Sequence, residues 1–206
     1  MMHNSSFSVK TCIIGSQGVG KTSIVFQLSM KHFKLNVTPT IGASFSCKVI
    51  DVDSHTVRFQ IWDTAGQETY KSMLPMYYRK ANLAMVVYDI TCQDSFNSIP
   101  KWIEELEKNA DKDCVICIIG NKCDLEYKRA VNREKAAQFA SSIGALYFET
   151  SAKTNEGIME AFIHVARQMV NLYHRRESLS ASTTSSRTRS LSLEDGSTKS
   201  QSRCCF

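Results

Sequence analysis

The stretch Gly15-Ser16-Gln17-Gly18-Val19-Gly20-Lys21-Thr22 constrains the fold more than any other part of this sequence. It matches the phosphate-binding pattern G-x-x-x-x-G-K-[ST]. Ahead of it, Val9 to Ile14 is apolar and β-branched, as a buried strand requires. Behind it, Ile24, Val25 and Leu28 recur at helical spacing. A strand, a glycine turn and a helix aim several backbone N–H groups at one point, where the helix dipole also favours negative charge. In that geometry Gly15, Gln17, Gly18, Val19 and Gly20 form a phosphate cradle and Lys21 reaches the outer phosphates. The Thr22 hydroxyl is then placed for Mg²⁺. The loop alone leaves the base of the nucleotide open.

The rest of the chain alternates strands and helices. Phe33 to Ile41 has neither period and reads as an exposed loop. Gly42 to Val52 and Thr56 to Trp62 read as two strands about the turn Asp53-Ser54-His55, too close in sequence to be anything but antiparallel. Leu83 to Tyr88 and Cys114 to Ile119 are unbroken apolar runs, as in parallel strands covered on both faces. Helical spacing joins Ile99, Trp102, Ile103 and Leu106, then Ala136, Phe139, Ala140 and Ile143, and finally Ile158, Phe162, Val165, Met169 and Tyr173. Asn132 and Asn155 are predicted N-caps, and Gly144 a helix stop. Pro100 predicts either a helix restart near Ser98 or a kink. The expected fold is α/β: a doubly wound, mostly parallel six-stranded sheet with one antiparallel edge strand.

At 206 residues the chain suits one domain, 8–173, and a tail, 174–206, whose Ser/Thr-rich composition predicts disorder. The net charge of +5 forms no stripe in the body, which argues against nucleic acid. Met1 to Phe7 is polar, so no signal peptide is expected, and no apolar run spans a bilayer. The eight cysteines are then expected reduced. Cys114 and Cys117 read as core residues on opposite faces of a strand.

Four further stretches sharpen the reading. In Trp62-Asp63-Thr64-Ala65-Gly66-Gln67-Glu68, Asp63 is placed for the Mg²⁺ hydration shell. Gly66 can bring its N–H to a γ-phosphate, and Gln67 can orient an attacking water. Thr40, on the loop before Gly42, is expected to give Mg²⁺ a second hydroxyl only when a γ-phosphate draws that loop inward. In Asn121-Lys122-Cys123-Asp124, after a buried strand, the Asp124 carboxylate can accept from guanine N1–H and its 2-amino group, donors that adenine lacks. In Ser151-Ala152-Lys153, the Ala152 N–H is placed for guanine O6.

With these motifs the chain resembles the Ras superfamily of small GTPases over Ser8 to Tyr173, and the Rab family within it. The likeness is strongest at Ile41-Gly42-Ala43-Ser44-Phe45, Trp62 to Glu68, Tyr77-Tyr78-Arg79 and Tyr88-Asp89-Ile90-Thr91. The early-endosomal group looks most similar. The resemblance implies a GTP/GDP switch with Mg²⁺, mobile loops at Leu35 to Gly42 and Asp63 to Arg79, and Phe33 against the guanine. It implies slow hydrolysis, with Gln67, Thr40 and Lys21 as catalytic groups. It also implies Ile41, Phe45, Trp62 and Tyr77 as an effector surface. Expected partners are an exchange factor, a GTPase-activating protein, a GDP-dissociation inhibitor, a prenylation escort and vesicle effectors, around a monomer. The ending Arg203-Cys204-Cys205-Phe206 resembles the doubly geranylgeranylated Rab terminus, and two lipids anchor stably where one does not. The expected location is the cytoplasmic face of intracellular membranes, endosomal above all, with a cytosolic pool.

One departure stands out. Gln17 is bulkier than the small residues usual at its position and lies beside the expected γ-phosphate. It motivates an alternative, a binding module held permanently in the GTP state. A phosphotransferase is a third reading, disfavoured because no second substrate site or acid pair is visible.

Overall fold

The computed structural model describes residues 5–31, 33, 38–66 and 74–188, with the backbone alone described at 74 and 179–188. Its centre is a six-stranded sheet in the order β2-β3-β1-β4-β5-β6. The strands are β1 (Ser5–Ile14), β2 (Ala43–Val52), β3 (His55–Thr64), β4 (Leu83–Asp89), β5 (Val115–Asn121) and β6 (Leu146–Thr150). All pairings are parallel except β2 with β3. The antiparallel strand lies at the edge, as the sequence predicts. β1 has β3 on one side and β4 on the other, so the chain reverses its winding direction at β1, where such sheets bind ligands.

The helices are α1 (Lys21–Met30), α2 (Leu74–Tyr78), α3 (Gln93–Asn97), α4 (Ile99–Asn109), α5 (Arg133–Ser142) and α6 (Ile158–Thr188). Pro100 occupies the first turn of α4, where its missing N–H costs nothing, and Ser98 divides α3 from α4. The Asn132 side chain accepts from Lys135 N–H and caps α5. α5 ends with the Gly144 N–H on the Ser141 carbonyl and the Ala145 N–H on the Ala140 carbonyl, a Schellman pattern with Gly144 in the left-handed region. β4 is buried at every residue and contributes Leu83, Ala84, Met85, Val86, Val87 and Tyr88 to the core. On the other side of the sheet Phe59 meets Phe162 edge-on at 5.4 Å.

Several local expectations need correction. The β2–β3 turn is Asp53-Ser54 alone, both at positive φ, and His55 already pairs with Val52. That conformation matches the right-handed strand twist, so two residues suffice. Asn155 caps nothing: it has φ 64 within the turn bridged by Ser151 and Glu156, and α6 starts after Gly157. Cys114 precedes β5 and is only half-buried, whereas Cys117 is fully buried, which pushes its thiol up to about 12.

The chain divides into Met1–Met169 and Val170–Phe206. In the second unit the helical backbone continues to Thr188, where the composition predicts a disordered tail from 174 onward. Extending a nucleated helix costs little per residue, and His174 to Glu177 are compatible with it. Residues 189–206, with Cys204 and Cys205, lie outside the described residues. Among the described residues no helix is long and apolar enough to cross a membrane.

Candidate functional site

β1 delivers the chain to the glycine loop at the sheet's centre. Gly15, Gly18 and Gly20 have φ of 139°, 79° and 99°, so the loop is wound from conformations side chains resist. Lys21 is buried at the start of α1, and its Nζ donates to the carbonyls of Gly15 (2.7 Å) and Ser16 (2.8 Å). Burial pushes its pKa down to about 8, against the opposing pull of Asp63. Gly66 faces this loop. A side-chain carbon there would stand 2.6 Å from both the Gln17 nitrogen and the Lys21 ammonium, so only glycine lets the two segments meet. The Gln17 side chain itself is exposed.

Three oxygen-bearing side chains gather beside the loop. The Thr22 and Thr40 hydroxyls are 2.6 Å apart. Asp63 is buried near the end of β3, inside the strand rather than after it. Neither of its carboxylate oxygens has a hydrogen-bond partner of good geometry among the described residues. Burial raises its pKa, opposed by the nearby Thr22 hydroxyl, Lys21 ammonium and Ser44 hydroxyl. An orphaned buried carboxylate beside two hydroxyls is an oxygen donor set suited to a hard cation that keeps several waters, as Mg²⁺ does.

The second half of the site is a cavity of about 250 Å³. Phe33, Asn121, Lys122, Asp124, Ala152 and Lys153 line it, together with Gly18 and Gly20 of the glycine loop. All six come from the sequence-predicted base site. Asn121 is buried and joins the parts: its Nδ2 donates to the Val19 carbonyl, 102 residues away, at 2.8 Å. Its Oδ1 accepts from the Thr150 hydroxyl and the Ala152 N–H, each at 3.2 Å. Ser151 is buried behind the cavity and donates to Asp124 Oδ1 at 2.6 Å. It also accepts from the Lys153 and Thr154 N–H groups. The walls of the cavity therefore hold one another.

Asp89, which the sequence marks only as part of the stretch that carries the family likeness, is a further participant in the site. Its Oδ2 pairs with Lys122 Nζ at 2.6 Å, and Thr91 donates twice to its Oδ1. Burial works against the charge, but these partners outweigh it and hold the carboxyl below its ordinary value. The pairing stiffens Lys122, whose φ is 69°. Asp89 ends β4 in register with Asn121 on β5, so its place was legible only once the strands were aligned. Ser98 was missed for the same reason: its hydroxyl meets that of Ser16 at 3.0 Å.

Three of the four predicted effector residues also cluster. Phe45 stacks on Trp62 at 5.1 Å, and Trp62 on Tyr77 at 5.5 Å. Phe45 is 53% exposed and Ile41 81%, whereas Trp62 and Tyr77 are half-buried against the core. Gln67 lies outside the described residues.

The Ras family matches this chain over residues 10–171. Rab-31 of Rattus norvegicus is 48% identical over 161 residues, 78% of this chain and 83% of the relative. Rab-22A of Homo sapiens is 43% identical over the same shares. Rab-5A of Dictyostelium discoideum is 38% identical over 203 residues, 98% of both chains.

Proposed function

The chain belongs to the Ras family of small GTPases, in its Rab branch and nearest in kind to the early-endosomal group, and from that premise we propose how it works as a switch in vesicle traffic. Ras-family proteins bind and hydrolyse GTP and take up Mg²⁺. Thr22, Thr40 and Asp63 are the groups that would hold the ion here, and it would neutralise charge on the phosphate oxygens. Gly15 to Gly20 cradle the phosphates with backbone N–H groups, and Lys21 leaves its two carbonyl partners for the outer phosphates. Asp124 accepts from guanine N1–H and the 2-amino group, the Ala152 N–H meets O6, and Asn121 keeps base and phosphate sites in one register. Gln67 orients the water that attacks the γ-phosphate.

In the GTP state the protein recruits effectors through Ile41, Phe45, Trp62 and Tyr77. Exchange and activating proteins turn the switch, a dissociation inhibitor and a prenylation escort carry it, and lipids on Cys204 and Cys205 hold it to endosomal membranes. The body, 8–173, acts as a monomer, with 174–206 as tether. The observation that carries this reading is the meeting of the orphaned Asp63 carboxylate, the Thr22–Thr40 pair and the Asp124–Ser151 cavity at the end of the sheet where the parallel strands terminate.

The test is base choice. Asp124→Asn exchanges an acceptor for a donor, so affinity for GDP falls at least about tenfold and preference moves towards xanthosine diphosphate. Unchanged affinity for both nucleotides overturns the placement of the base.

A further inference from the structure

A second set of polar side chains lies outside the lining of the base cavity. Tyr88 on β4, Gly120 on β5 and Glu149 on β6 stand side by side in the strand register. Gly120 leaves the space open: a side-chain carbon there would lie 2.7 Å from the Tyr88 hydroxyl. Through that gap the Tyr88 hydroxyl meets the Tyr147 hydroxyl at 3.0 Å, and Tyr147 donates to Glu149 Oε1 at 2.7 Å. The Tyr147 proton is thus committed to Glu149, and Tyr88 is the donor of the pair.

Glu149 is also gripped from the other side. Arg129 donates from Nη1 to Oε1 and from Nη2 to Oε2, both at 2.8 Å, with the Glu149 side chain 7% exposed. The same guanidinium reaches the Val131 carbonyl and Glu126, and Arg133 adds a longer contact to Glu149 Oε2. A bidentate pair of this kind fixes direction as well as distance.

The position of this pair in the chain gives it a consequence. Asp124 lies within the short 3₁₀ segment Cys123–Lys128, whose C-cap is Arg129, and Glu149 precedes Ser151 by two residues. The two walls of the cavity are joined next to its lining by Ser151 on Asp124, and farther from it by Glu149 on Arg129. We propose that Glu149, locked by Arg129 and by the Tyr88–Tyr147 hydroxyl pair, is a positioning residue that sets the angle of the Asp124 carboxylate and so the reading of the guanine 2-amino group. It does not line the base cavity. It acts by allowing the two walls a single spacing.

This rests on the base site proposed above, and the experiment separates the two. GDP and inosine diphosphate, which lacks the 2-amino group, are titrated against the full chain in saturating Mg²⁺. The proteins are wild type, Glu149→Gln, Tyr147→Phe and, as the control for the site itself, Asp124→Asn. A purely structural role weakens both nucleotides alike and leaves their ratio unchanged. Positioning lowers the GDP-over-inosine preference, about threefold to tenfold for each network variant, as expected when one hydrogen bond to a charged group is lost or weakened. Tyr147→Phe is nearly isosteric and keeps the comparison clear of folding defects. A wild-type ratio in either network variant overturns the proposal while the site stands. A wild-type ratio in Asp124→Asn overturns the site, and the proposal with it.

Discussion

The hydroxyls of Thr22 and Thr40 lie 2.6 Å apart although 18 residues separate them in sequence, and the buried Asp63 carboxylate stands nearby with neither oxygen hydrogen-bonded among the described residues. That arrangement is costly without a cation. In metal- and nucleotide-free protein, Asp63→Asn therefore raises stability at neutral pH, by about 1–3 kcal/mol, the penalty of an unsatisfied buried group. The folded-state pKa of Asp63 is raised, so the penalty is present at neutral pH. It fades as pH falls through that raised value towards the ordinary 3.8. Thermal unfolding in chelator checks this, and adding Mg²⁺ with GDP should reverse the order of the two proteins. A less stable variant in chelator at pH 7 refutes it.

Lys21 gives a second pH dependence of opposite sign. Its folded-state value is depressed to about 8, so the nucleotide-free protein loses this proton between about 8 and 10.5 while the unfolded chain keeps it. The burial penalty is therefore present below about 8 and disappears as pH rises to 10.5. Phosphate in the loop restores the charge. Binding GDP at pH 9 should take up about one proton, and affinity should fall as pH rises above 8. Calorimetry in two buffers of different ionisation enthalpy measures the uptake, and the absence of uptake at pH 9 contradicts the assignment.

Gln17 and Gln67 should separate hydrolysis from binding. Gln67→Leu keeps GTP affinity and abolishes turnover stimulated by an activating protein. The exposed Gln17 begins in the phosphate loop, where an amide can crowd the attacking water, and misplacement by an ångström costs about 10²-fold. Gln17→Gly should raise the single-turnover rate with affinity unchanged. An equal or slower rate removes the main support for a permanently loaded module.

Cys204 and Cys205 should anchor the chain jointly. Serine at both leaves the protein in the soluble fraction with nucleotide binding intact, and serine at one gives weak, reversible membrane association. Full membrane retention of the double variant in fractionation defeats the lipid reading.

Local chemistry determined much of this protein without help from the fold. The G-x-x-x-x-G-K-T stretch fixed a strand, a turn and a helix because each needs only its neighbours. The same holds for the restart at Ser98 ahead of Pro100, the Asn132 cap and the Gly144 stop. The alternation of apolar runs with helical periods foretold the layered sheet and its antiparallel edge. Tertiary structure decided what no spacing encodes. Asp89 could be matched with Lys122, Ser98 with Ser16, and Tyr88 with Tyr147 and Glu149 only once parallel pairing set β1, β4, β5 and β6 side by side. Those partners are far apart in the chain, and their contact depends on a strand order that composition leaves open. Composition also predicts disorder where helix α6 continues to Thr188, because a helix already nucleated extends through residues that would not start one.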